Sequence, residues 1–151
     1  MSEMLGNQYF MARKYGEAQK YLLPVYEKNP SNKLVKRKLV ICFFMTGDVS
    51  KAFNFFYELI TDDIYYITKT DPVSDDCPCH EIIRELNLEN IATTERQLEQ
   101  LVLRGIIWLF CNPKQSLNFF RKASEIEPHN WKISETVKII NRYIETEKES
   151  V

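Results

Sequence analysis

A chain of 151 residues with 44% hydrophobic and 27% charged side chains is long enough to bury a real core and too apolar to be disordered over most of its length. Its formal net charge of −1 at pH 7 offers no overall field to nucleic acid or to an anionic membrane, so neither is an expected partner. Four cysteines are too few for a disulfide-stapled mini-domain, and no basic-then-apolar leader is legible, so the expected compartment is the cytoplasm.

Four glycines and six prolines punctuate the chain, and the apolar periodicity predicts helix almost throughout. Ser2 is placed to cap a first helix that carries Gly6 in "LGNQYF". A glycine inside a helix costs about 1 kcal/mol against alanine, so its expected role is to let a second helix approach closely. The run "LVICFFM" (Leu39 to Met45) falls far short of the ~20 residues that span a bilayer and reads as a buried helix segment. Asp48 can cap the helix after the turn "TGD", and Thr94 with Gln97 fits a capping box. Asn112 is a natural N-cap ahead of Pro113, and Asn130 can open a last helix striped by Ile133, Val137, Ile140 and Ile144.

The chain also resembles itself. A shift of about 34 residues brings Leu5 onto Leu39, Tyr9 onto Phe43, Ala18 onto Ala52, Leu22 onto Phe56 and Val25 onto Leu59. A further shift reaches Leu103, Ile107, Ser116, Phe120 and Ala123. Each unit is then a helix pair with a small residue (Ala18, Ala52, Ser116) early in its second helix and a bulky one four residues on. A single pair cannot bury its apolar face alone, so the units are expected to stack.

With Leu5, Gly6, Tyr9, Ala18 and Pro30 in register, "LGNQYFMARKYGEAQKYLLPVYEKNP" resembles the tetratricopeptide repeat family. The second copy keeps its turn glycine, Gly47, but has Val40 where the first has Gly6, and the third has Arg104 there. The resemblance implies an all-α superhelical stack of antiparallel helix pairs, an α-solenoid without catalytic activity. The repeats would occupy about 1–32, 33–66 and 97–130 of one domain, with an insertion at 67–96 and a capping helix at 131–148. It also implies a concave groove lined by Asn7, Phe10 and Met11, then Leu34, Arg37, Lys38, Ile41, Phe44 and Met45, then Leu101, Gly105, Trp108 and Leu109. Aromatic and methionine side chains suit an amphipathic helix or apolar peptide of a partner protein. The carboxylate clamp of some family members is mostly missing, because only Asn7 fits and its other positions hold Glu3, Lys38, Leu98 and Val102.

Within the insertion, Asp71 to Asp76 read as an exposed acidic loop, and Asp76 with Pro78 can start a short helix turning Ile82, Ile83 and Leu86 inward. Cys77-Pro78-Cys79-His80 is a minor alternative site for metal or redox chemistry, since a helix N-terminus favours thiolate. Zinc needs four ligands, however, and Cys42, Cys111 and His129 belong to other helices, so no metal and no cofactor is expected. Cys42 and Cys111 read as core thiols, and the basic run "KLVKRK" as a solvated helix face. With two histidines, no HExxH and no glycine-rich loop, the chain is not expected to be an enzyme. A protein-binding scaffold is the leading expectation. The alternative is a self-associating unit, a homodimer through its terminal helices, since the starting helix presents Met4, Phe10 and Met11.

Overall fold

A computed structural model describes residues 2–86 and 97–149. Among the described residues there are nine helices and no strand: α1 (Ser2–Met11), α2 (Tyr15–Lys28), α3 (Lys33–Thr46), α4 (Val49–Asp63), α5 (Tyr65–Thr68), α6 (Cys79–Leu86), α7 (Gln97–Leu109), α8 (Pro113–Ile126) and α9 (Trp131–Glu149). The chain forms two compact units, Met1–Asp62 and Asp63–Val151.

Side-chain caps fix four of the nine described helix starts. Asn32 Oδ1 accepts the N–H of Val35 at 3.1 Å, Asp48 Oδ1 that of Lys51 at 3.1 Å, and Asn130 Oδ1 that of Ile133 at 3.2 Å. Asn112 accepts the N–H groups of Lys114 and Gln115, and Pro113 occupies the first turn, where its missing donor leaves nothing unsatisfied. α3 stops at Gly47, whose φ of +85° is a left-handed conformation that glycine adopts without a Cβ penalty. Two expected starts differ. Ser2 is already helical, and α6 begins at Cys79 with the carbonyl of Pro78, not Asp76, taking the first helical N–H, from Ile82. Thr94 of the expected capping box lies outside the described residues.

In the first unit α1 packs against α2, and α2 against α3. A β-carbon built at Gly6 would stand 2.7 Å from Leu22 Cδ2, well inside contact distance, so the glycine makes room for another helix as its sequence context predicted. Tyr9 and Tyr21 stack beside it with ring centroids 5.6 Å apart, an antiparallel register for the pair. Ala18, Leu22, Ala52 and Phe56 are fully buried, and Phe43 of α3 stacks on Phe55 of α4 at 5.3 Å.

The second unit repeats the device. Gly105 of α7 faces Phe120 of α8, where a β-carbon would fall 2.6 Å from the ring, and Ser116 Oγ donates to the carbonyl of Gly105 at 2.6 Å. Gly105 is therefore the counterpart of Gly6, in place of the Arg104 expected from the repeat alignment. Buried Arg104 instead donates to the carbonyl of Leu86 at 2.9 Å. α8 packs on α9, whose Ile133, Ile140 and Ile144 are buried and whose Val137 is half-buried. α6 packs on α7 and turns Ile82 and Ile83 into the core. Tyr65 of α5 meets α9 twice, edge-on to Tyr143 at 5.5 Å and by a hydrogen bond from its hydroxyl to Glu147 at 3.1 Å.

Candidate functional site

The residues expected to line a groove divide sharply by exposure. Phe10, Arg37, Ile41, Phe44 and Leu101 are buried, as are Gly105 and Leu109. Their positions on the apolar side of each helix were legible, but that side faces protein and cannot meet a ligand. Asn7, Lys38 and Trp108 are half-buried. Met11, Leu34 and Met45 remain exposed, at 57%, 51% and 40%.

Within the first unit these survivors share a face. Met4, Asn7 and Met11 recur at helical spacing on α1, as do Leu34, Lys38 and Met45 on α3. Lys38 Nζ joins the two stripes by donating to Asn7 Oδ1 at 2.8 Å, and it also lies over the Phe10 ring, 5.8 Å from the centroid. The basic run is not the solvated face expected of it. Arg37 is buried, Lys33 pairs with Asp62 at 3.4 Å, and Lys36 pairs with Glu58 at 3.5 Å while lying over Tyr26.

A second cluster lies in the other unit, where the start of α6 meets the turn between α7 and α8. Sγ of Cys79, a ring nitrogen of His80 and Sγ of Cys111 lie within 4.8 Å of one another, and Cys111 Sγ is 3.5 Å from His80 Nδ1. Cys77 precedes this trio across Pro78 and is not one of the three whose ligand atoms converge. Cys77 and Cys79 are buried, Cys111 is half-buried and His80 is exposed. Cys111 is thus no core thiol. The sequence expectation that it belongs to another helix, which counted against it, fails: it lies in the turn after α7, and α6 packs on α7.

The thiols of this cluster do not share charge equally. Hydrogen bonds from Cys111 and then Cys77 hold Cys79 well below the ordinary thiol range, against the opposing effect of burial. Cys77 and Cys111, hydrogen-bonded to that sulfur and partly desolvated, are pushed well above it. Two cysteine sulfurs and an imidazole that converge at one point form a soft donor set. Cys42, deep in α3, behaves as the inert core thiol expected: burial pushes it up to about 12.

Comparison with protein-family models, with curated proteins and with solved structures finds no match to this chain. Among the described residues, no helix is long and apolar enough to cross a membrane.

Proposed function

We propose that this chain is a non-catalytic protein-interaction scaffold of the tetratricopeptide kind, which binds an amphipathic helix or apolar segment of a partner protein on the α1/α3 face of its first unit. One observation carries this reading. Met4, Met11, Leu34 and Met45, each at least 40% exposed, flank the Asn7–Lys38 hydrogen bond on two adjoining helices. An exposed apolar stripe with a polar pair at its centre suits a partner helix that buries aliphatic side chains and offers one hydrogen-bonding group. Methionine adapts to a partner's shape at low cost, and three of these four residues are methionine. The packed pairs α1–α2 and α7–α8, each with a glycine at its crossing, are consistent with the repeat reading.

A photo-crosslinking side chain in place of Met11 or Met45 tests the face directly. The expected result is one discrete adduct from both positions and none from the exposed Lys122 of α8. Equal labelling at all three would overturn the reading. Self-association is the second reading, favoured by Met4 at 63% and Leu5 at 36% exposure on α1. Light scattering separates the two: a self-docking face produces a dimer whose mass falls to that of a monomer when Met4 is replaced by Glu.

A further inference from the structure

We propose that Cys77, Cys79, His80 and Cys111 are the four ligands of a tetrahedral zinc(II) site that pins the start of α6 to the turn between α7 and α8. Three thiols and one imidazole form a Cys₃His set, a donor combination that closes structural zinc sites. The geometry fits this ion in particular. Zn–S bonds of about 2.3 Å and Zn–N bonds of about 2.0–2.1 Å at tetrahedral angles place a sulfur and a nitrogen ligand about 3.5 Å apart. Cys111 Sγ and His80 Nδ1 stand 3.5 Å apart, and the Cys79 sulfur lies within 4.8 Å of Cys111 Sγ and of a ring nitrogen of His80. Cys77, separated from Cys79 by Pro78 alone, would supply the fourth sulfur by turning its side chain onto the three donors that already converge.

The surroundings match a metal better than a thiol pair alone. Exposure is graded, from buried Cys77 and Cys79 to half-buried Cys111 and exposed His80, which leaves one side open for an ion to reach the sulfurs. A disulfide would use two of the four groups and leave the convergence of the imidazole and the third thiol without a role. The ligands come from positions that are distant in sequence, since His80 and Cys111 are 31 residues apart, so the ion would act as a staple across a long loop.

Cobalt(II) titration of the reduced, metal-stripped 151-residue chain tests this. The expected result is saturation at one equivalent, with thiolate-to-cobalt charge transfer in the near ultraviolet and the intense visible bands of tetrahedral cobalt, all bleached by added zinc. Cys111→Ser is expected to weaken cobalt binding by more than the roughly 10–100-fold that loss of an outer-shell partner costs. His80→Ala, at an exposed position that leaves folding intact, does the same, while Cys42→Ser binds as wild type. Absence of the charge-transfer band at saturating cobalt would overturn the proposal. So would an unchanged spectrum and affinity in His80→Ala and Cys111→Ser.

Discussion

Gly105 and Phe120 touch so closely that the α7–α8 crossing has no space for a β-carbon, and the hydroxyl of Ser116 closes the same contact from below. Phe120 is fully buried and cannot swing aside. Gly105→Ala is therefore expected to destabilise the chain by about 1–2 kcal/mol, overpacking of about 1–3 kcal/mol being partly offset by the helix propensity of alanine. Gly16 reverses the sign, because nothing lies within 4 Å of a β-carbon there; Gly16→Ala is expected to stabilise by up to about 1 kcal/mol. Denaturant melts of both variants check the pair, and a Gly105→Ala protein as stable as wild type would disprove the crossing.

Ala52 of α4 in the first unit has no exposure at all. Ala52→Arg combines overpacking with a buried charge and is expected to cost more than about 3 kcal/mol, enough to lower the melting temperature by well over ten degrees. A melt within a degree or two of wild type would remove the basis for reading Ala18, Ala52 and Ser116 as equivalent positions.

Arg37 and Met45 lie two turns apart on α3 with opposite environments. Arg37→Glu is expected to destabilise by roughly 1–3 kcal/mol, because it inverts a buried charge. Met45→Glu, at an exposed position, is expected to stay within about 0.5 kcal/mol of wild type. Chemical unfolding of the two variants tests whether the basic run is structural and the methionine available.

Cys42 makes a pH-dependent prediction. Its folded-state pKa is raised from 9.0 to about 12 by burial, so the folded chain keeps this proton where the unfolded chain loses it. Stability from this group is complete below about pH 9 and is lost as pH rises towards 12, by an amount on the order of 4 kcal/mol. Cys42→Ala removes that component, so its unfolding free energy should fall less steeply than wild type between pH 9 and 11. Parallel slopes would show that the thiol is not desolvated.

The parts of this fold that sequence made legible are the local ones. The caps at Asp48, Asn112 and Asn130 act on N–H groups two or three residues away, and Gly6 and the small residues at 18, 52 and 116 stood out because a small side chain inside an apolar helical pattern marks burial. What sequence did not show depends on tertiary placement. The repeat alignment put Arg104 where Gly105 serves, because a slip of one position in α7 leaves the apolar pattern nearly unchanged. The burial of Arg37 and the pairing of Lys33 and Lys36 depend on α4 and the end of α2, which no reading of "KLVKRK" alone contains. Cys111 meets His80 only because α6 turns back onto α7.

Tyr65 and Glu147 are 82 positions apart, yet their hydrogen bond ties the first helix of the second unit to its last. Lys69 adds an ion pair to the same carboxylate at 3.7 Å. In a linear array each element answers only to its neighbours, and the outermost helix can peel away at little cost to the rest. Here the outermost helix cannot leave without releasing α5 as well. The coupling is modest, on the order of 1 kcal/mol for an exposed aromatic and ionic contact, or about a fivefold lower chance that either end opens alone. Slow-exchanging amides of α5 and α9 should accordingly gain or lose protection together, and Tyr65→Ala should uncouple them.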